Sequence, residues 1–301
     1  MCVSSPKNLS NPPDADICSR ATRPQRHSGF PDGRSRAPGS IALVADLGRA
    51  GDFDYETFGG GYAAQRRGDP RIAAVVHDAL GSARSVLNVG AGAGSYEPED
   101  RYVVAVEPSP AMRAQRPPAR PAIAAAAESL PFDDGAFDAV MATFTVHQWS
   151  DLGRGLSEMR RVSAGPVVIL TFDGDALDRF WLADYIPELV AAERKRYPSI
   201  AQLAGALGED SVVREVPVPI DCIDGFTEAY FARPERFLDD AVRQAQSAWA
   251  FVDPAVQARA VNHLADDLAS GAWDARYGPW RAQQTFDGSL RLVVGPRRRP
   301  R

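Results

Sequence analysis

Lysine is nearly missing from this chain. Lys7 and Lys195 are the two in 301 residues, and arginine carries the remaining positive charge. Acidic groups outnumber basic ones and the net charge is −5, so no surface that would grip nucleic acid is expected. Cysteine is scarce as well. Cys2, Cys18 and Cys222 show neither metal-ligand spacing nor a pairing plan, which argues against a zinc site or a disulfide framework. Long apolar runs are absent, so no membrane-spanning helix is expected. The opening MCVSSPKNLSNPPDADICSR lacks the apolar centre of a secretory signal. A reduced, cytoplasmic protein without a membrane partner is the expectation.

What is there reads as an ordinary soluble globular chain, 45% apolar and 24% charged. Residues 1–50 are rich in Pro, Ser, Arg, Gly and Asn without periodicity and are expected to be a disordered extension. The closing PRRRPR is expected to be a loose basic tail. Asp69-Pro70 predicts a helix start, with Ile72, Val75, Val76, Ala79 and Leu80 on one face and Gly81 as the stop. Strands are then predicted at 85–89, 102–107, 121–127, 138–145 and 165–172. Helices fall between them, one after Pro108-Ser109-Pro110 and one over 151–162. Such alternation predicts an α/β fold, a parallel sheet with helices on both faces. Beyond Asp173, residues 176–207 read as mostly helical and 212–219 as a strand. About seventy residues of helical pattern follow, to roughly 277, and SLRLVVG (289–295) is the last strand. One helix of this stretch is expected to carry Phe237, Leu238, Ala241, Val242, Ala245 and Trp249, and the next to open at Asp253-Pro254. A cofactor-binding core over 51–175 and a helical cap over 176–288 with one core strand are therefore expected. The last strand and the tail make up 289–301.

The segment SVLNVGAGAGSYEP (85–98) joins a strand to a glycine-rich turn, where backbone can approach a ligand closely. In the dinucleotide pattern G-x-G-x-x-G the third glycine would stand at position 95, which is Ser95. The loop is G-x-G-x-G instead, through Gly90, Gly92 and Gly94, and no lysine follows to make a P-loop. It suits a nucleoside without phosphates better than a dinucleotide. Glu107 closes the second strand, where a carboxylate can accept hydrogen bonds from both ribose hydroxyls; a solvated strand end is the plain alternative.

VLNVGAGAGSYEP, VVAVEPSPAM, AAAESLPFDDGAFDAVMATFTVHQW and GPVVILTF occur in the order seen in class I S-adenosylmethionine-dependent methyltransferases. The chain resembles this family over 52–175. It is most similar to the small-molecule branch with the ubiquinone/menaquinone-biosynthesis and trans-aconitate-methyltransferase-like enzymes. The resemblance implies a Rossmann-like seven-stranded sheet, S-adenosyl-L-methionine as cofactor and a small-molecule methyl acceptor, with a homodimer allowed for. It places Gly90, Ala91, Gly92 and Gly94 beneath the methionine and ribose, Glu107 on the ribose hydroxyls, and Pro108, Ser109 and Met112 beside the adenine. Where the family often has an aspartate for the adenine amino group this chain has Ala126, which leaves backbone at Ala127 and Glu128. Thr143, Phe144 and His147 would line the boundary with the acceptor. Tyr55, Tyr62 and Arg67 match an N-terminal segment that closes over the cofactor.

Methyl transfer of this kind needs alignment and exclusion of water, with no metal. His147 is the candidate catalytic base, or else it orders its loop or touches the acceptor. His77, off the apolar face of its helix, is expected in solvent, and His263 is expected to be structural. Trp181, Tyr185, Tyr230 and Phe231 are candidate pocket walls. Phe237, Trp249 and Leu264 are read as helix packing. Two other readings stand beside methyl transfer: an NAD(P)-dependent oxidoreductase on a similar fold, and a non-catalytic S-adenosylmethionine-binding protein.

Overall fold

The sheet is pinned at its entrance by one exposed carboxylate. Asp138 Oδ2 accepts hydrogen bonds from the backbone N–H groups of Arg84 (2.9 Å) and Ser85 (3.0 Å), and Ser85 Oγ accepts from Asp138 N (3.0 Å). These bonds hold the starts of β1 (Ser85–Val89) and β4 (Ala139–Thr143) in register. The computed structural model describes residues 51, 53, 54, 56 and 62–297; residues 1–50, Tyr55, the Tyr62 side chain and residues 298–301 lie outside that set. The expectations made for the extension, for those tyrosines and for the end of the tail therefore fall outside it.

The remaining strands are β2 (Tyr102–Val106), β3 (Ala122–Ile123), β5 (Val167–Phe172), β6 (Val212–Glu215) and β9 (Leu290–Gly295), with β7 (Val218–Pro219) and β8 (Thr285–Phe286) forming a separate pair. The main sheet has seven strands in the order β3-β2-β1-β4-β5-β9-β6, and β9 alone runs antiparallel to its neighbours. Sequence order reverses between β1 and β4. Crevices at such switch points, outside the carboxyl ends of the strands, are where open α/β sheets bind ligands.

Alternation along each strand separates two cores. Val86, Met141, Val168 and Leu170 face helix α1 (Pro70–Ala79) and the chain beyond 176. Leu87, Val89, Val140, Ala142 and Ile169 face the other way. There they meet α3 (Leu152–Val162) and α5 (Ile200–Leu207), while the short α2 (Pro110–Ala114) follows β2. Both faces are thus covered, and near-continuous apolar strands are what that arrangement requires.

Helix α1 starts where its sequence predicts, with Asp69 as N-cap and Pro70 in the first turn. Beyond β5 three expectations need correction. The stretch 212–219 is not one strand: Pro217 and Pro219 cannot donate to a ladder, and the chain leaves the main sheet after Val216 N bonds Leu290 O. The single helix expected through Phe237 and Trp249 is broken. Its pieces are a 3-10 turn (Pro234–Leu238), α6 (Asp240–Gln244) and a second 3-10 turn (Ser247–Phe251). Asp239 restarts it by accepting from Ala241 N, while Leu238 and Ala241, assigned to the apolar face, are exposed. Ahead of α4 (Pro187–Arg196) the chain runs as 3-10 helix over Gly174–Arg179 and Trp181–Asp184. Helix α7 (Pro254–Ser270) does open at Asp253 and ends at Gly271, in the left-handed conformation. A short α8 (Ala272–Tyr277) leads toward β8.

Asp69 also joins the two halves. It is wholly buried, and Oδ1 accepts from Arg71 N and Nε (both 3.0 Å), while Oδ2 accepts from Arg71 Nη2 (2.8 Å) and Ile223 N (3.2 Å). Burial alone would raise its pKa, but the donors from Arg71 and Ile223 outweigh it and the net shift is downward. Asp69→Asn should cost about 2 kcal/mol at pH 7 in urea unfolding. The carboxylate's contribution is complete above its unfolded pKa of about 3.9. It is lost as pH falls through the lower folded value, so the gap between variant and parent should shrink in acid.

Candidate active site

The turn after β1 forms the floor of the site. Gly90 has φ +65°, and a Cβ there would lie 2.1 Å from Thr145 Oγ1; at Gly94, φ is +97° and Arg116 Nη1 would be 3.0 Å from a Cβ. No other residue takes both shapes without strain or collision. The loop uses its own N–H groups internally. Ala91 N donates to Val106 O (2.9 Å), Gly94 N to Ala91 O (2.9 Å) and Gly92 N to Glu107 Oε2 (2.8 Å). A pyrophosphate would need such groups turned outward. Glu107 is 5% exposed, its Oε1 accepts from Ser109 N (2.9 Å), and burial raises its pKa against the pull of the Ser109 and Gly92 N–H groups.

Beneath the loop lies a buried ion pair. Arg116 Nη2 meets both oxygens of Glu97 (2.8 and 3.0 Å), Nη1 donates to Gly92 O (3.2 Å), and Asn88 Nδ2 on β1 donates to Glu97 Oε1 (3.0 Å). Both charged side chains are 2% exposed.

Ser95 and Tyr96 tie the loop to segments far along the chain. Ser95 Oγ donates to Arg66 O (3.2 Å), and Tyr96, at φ +66°, donates its hydroxyl to Asp224 Oδ2 (2.7 Å). Arg66 Nε meets the other Asp224 oxygen at 2.6 Å, and its guanidinium lies over the Phe144 ring, 5.2 Å from the centroid. His77, expected in solvent, is half-buried instead, with Nε2 2.9 Å from Tyr96 O.

Ser109 is the N-cap of α2, accepting from Met112 N (3.1 Å), while its hydroxyl donates to Glu56 Oε1 (2.6 Å). Met112 is buried, with Cε 3.3 Å from where a Gly92 Cβ would stand; Pro108 is half-buried, and its carbonyl accepts from Arg113 Nη1 (2.8 Å). Ala127 is buried nearby. Glu128 is committed elsewhere: its carboxylate accepts from Ser150 N and Oγ and from Asp151 N, and its carbonyl accepts from Arg154 Nε.

Beyond Thr143, at the end of β4, Phe144 adopts φ +55°, strained for a bulky residue, and stacks on Phe172 at 5.0 Å. Phe144, Phe172, Phe226, Tyr197, His147, Arg66, Thr227 and Glu193 surround a cavity of about 420 Å³. A second cavity, about 350 Å³, shares Phe172, Glu193 and Thr227 with it and continues among Leu177, Phe180, Leu182, Leu189 and Val190. His147 is half-buried, and removal from solvent, helped by the charges of Arg196 and Arg66, lowers its pKa to about 3. The imidazole is neutral at physiological pH.

Residues 87–168 match a methyltransferase domain, and that span runs from the glycine loop to β5 of the sheet just described. The chain carries a methyltransferase domain on the class I fold. It is similar to a protein of Anabaena variabilis ATCC 29413 assigned as a methyltransferase of an antibiotic biosynthesis pathway. Identity is 29%, 77% of this chain and 98% of that one are covered, and the TM-score is 0.72. To YcgJ of Bacillus subtilis the identity is 18%, over 74% of this chain and 100% of that one, with a TM-score of 0.42. A short segment is 50% identical over 36 residues to the uncharacterized protein YafE of Escherichia coli (strain K12). It covers 12% of this chain and 17% of YafE's length.

The methyl donor expected of such a domain is S-adenosyl-L-methionine. The donor set fits it: a left-handed glycine turn, with the N–H groups of Ala91, Gly92 and Gly94 spent inside the protein, beside one buried carboxylate. Among the described residues no cluster of side chains could hold a metal, and no helix is long and apolar enough to cross a membrane. Arg67 is exposed and lines a separate groove with Tyr230, Arg233 and Arg236; its neighbour Arg66 stands at the Phe144–Phe172 cavity. Trp181 and Phe231 pack with each other, Trp181 Nε1 donating to Phe231 O (2.9 Å), and line neither cavity; Tyr185 bonds Asp267.

Sequence reasoning missed Arg66, Asp224, Phe226, Glu193 and Glu228. The signal for Glu193 was in the sequence, three and four residues beyond Val190 and Leu189 on the buried face of α4, but the run ERKR hides it. Glu97→Gln should leave the Arg116 charge buried without its partner and lower stability by about 3 kcal/mol in urea unfolding.

Proposed function

We propose that this methyltransferase places a methyl group on a small, largely apolar acceptor held in the Phe144–Phe172–Phe226 cavity. The observation that carries this reading is the position of the cavity. It lies at the carboxyl ends of β4 and β5, where Phe144 and Phe172 line it, and Tyr96, just past the glycine turn, packs its ring against Phe144 at 5.7 Å. When bound, S-adenosylmethionine supplies a methyl group on a sulfonium, open to in-line displacement. The protein's part is then to align the acceptor and exclude water.

Gly90, Ala91, Gly92 and Gly94 would underlie the methionine and ribose, and Glu107 would accept from the ribose hydroxyls with the lone pairs that Gly92 and Ser109 leave over. Pro108, Ser109 and Met112 would flank the adenine. Ala127 would complete its edge, with Glu128 contributing only what its bonds to Ser150, Asp151 and Arg154 allow. Thr143 and Phe144 would divide the two ligands, and Tyr55 and Tyr62 would close from the N-terminal side. In this reading residues 51–175 bind the cofactor and 176–288 select the acceptor, in a cytoplasmic enzyme that can pair as a homodimer. His147 touches the acceptor as a neutral imidazole; an imidazolium with a pKa of about 3 makes it a poor proton acceptor.

The bonds that spend the Ala91, Gly92 and Gly94 N–H groups inside the protein count against an oxidoreductase. Isothermal titration should show S-adenosylhomocysteine binding and no NAD binding. Glu107→Ala should weaken S-adenosylhomocysteine by about 1–3 kcal/mol, through lost charge-assisted hydrogen bonds. Equal affinity in parent and variant would remove Glu107 from the ribose.

A further inference from the structure

Glu193 is 9% exposed and sits where the two cavities join, lining both. The other charged groups on these walls are matched. Arg66 is paired with Asp224, and Glu228, which faces the inner lobe, accepts from Ser289 N with both oxygens (2.9 and 3.0 Å). Among the described residues the Glu193 carboxyl meets no hydrogen-bond donor and no ion-pair partner, and burial pushes its pKa to about 7. Arg196 and Arg66 act on it only through space, and a carboxylate enclosed without a direct hydrogen bond or ion pair is costly. Around it stand the rings of Phe172, Phe226 and Tyr197, whose centroids lie 5.4–5.5 Å apart in the pairs that Phe172 forms. Electron-rich ring faces and an unmatched carboxylate attract the same guest, a cation.

We propose that the acceptor is an apolar amine. Its protonated nitrogen pairs with Glu193 between the Phe172 and Phe226 rings, and its hydrocarbon body fills the inner lobe lined by Leu177, Phe180, Leu182 and Leu189. Glu193 then takes the proton that the nitrogen must shed. The N–H bond breaks toward a Glu193 oxygen, which frees the nitrogen lone pair. That pair forms the new N–C bond, and the electrons of the broken C–S bond stay on sulfur. The proton leaves with solvent when the product departs. Thr227, shared by both lobes, already donates its hydroxyl to Gln246 Oε1 (2.7 Å), which leaves Glu193 as the acceptor for the substrate's charge.

The inference rests on the methyltransferase reading, and one titration separates the two. The full chain, saturated with S-adenosylhomocysteine, is titrated with 2-phenylethylamine and with the equally sized 2-phenylethanol. At pH 8 the amine should bind at least about tenfold more tightly. With a carboxyl pKa of about 7, lowering the pH to 6 protonates Glu193 and should weaken the amine by about tenfold while the alcohol is unaffected. The groups facing Glu193 are Arg196 on its own helix, Arg66 and His147 on the cavity wall, Tyr197 and Glu228. His147 stays neutral at both pH values. Glu228, also near 7 and farther along the inner lobe, adds to the change in the same sense. Glu193→Gln should keep S-adenosylhomocysteine affinity within about twofold and bring the amine down to the level of the alcohol. Failure of the parent chain to bind S-adenosylhomocysteine would overturn the methyltransferase reading. Intact S-adenosylhomocysteine binding with amine and alcohol equal, or an amine advantage that survives Glu193→Gln, would overturn the amine assignment alone. Should the variant not fold, the parent's amine-to-alcohol ratio and its pH dependence still decide.

Discussion

The pair between Arg116 and Glu97 is the constraint on which the rest of the site depends. It lies under a turn that has to hold three glycines in left-handed conformations, and such a turn has little stiffness of its own. The guanidinium braces Gly92 O from below, and Asn88 fixes the carboxylate from β1. Two charges taken out of water gain from each other only when geometry and further hydrogen bonds are good, and here Arg116 also donates to the backbone at Gly92 O and Arg120 O. Loop, first strand and second helix are therefore one rigid piece, and Glu107 joins it through Gly92 N.

The second connection runs upward from the same turn. Tyr96 and Arg66 converge on Asp224, and Asp69 reaches Ile223 N one residue before it. The segment after β7 is thereby fastened to the sheet at the very end of the glycine loop. Phe226 follows two residues on and completes the aromatic wall with Phe144 and Phe172.

The core of the fold was legible because its signals are local and agree. Asp69-Pro70 and Asp253-Pro254 mark helix starts, and apolar strands covered on both faces read as continuous runs. The glycine turn and Glu107 were legible because both are tied to adjacent strand ends. The region beyond β5 was less so. Its 3-10 turns are set by single side chains such as Asp239, and the apolar pattern of 237–249 could be satisfied without a continuous helix. The cavity could not be found from one segment, since its walls come from β4, β5, α4 and the stretch around Phe226. Arg66 and Arg67 show the limit plainly: only packing decides which of two neighbouring arginines turns toward the site.

The cavity's construction has an evolutionary side. Phe144 and Phe172 stand on the strands that carry the cofactor floor, whereas Glu193, Tyr197 and Phe226 belong to the chain beyond 176. The two sets meet across the space through ring contacts, Phe172 with Tyr197 at 5.5 Å and Phe144 with Phe226 at 5.6 Å. On the proposed function, exchanging α4 or the Phe226 segment would change the acceptor walls while leaving the glycine turn and Glu107 in place. The bonds from Tyr96 and Arg66 to Asp224, and from Ile223 N to Asp69, are anchors that such a change must preserve.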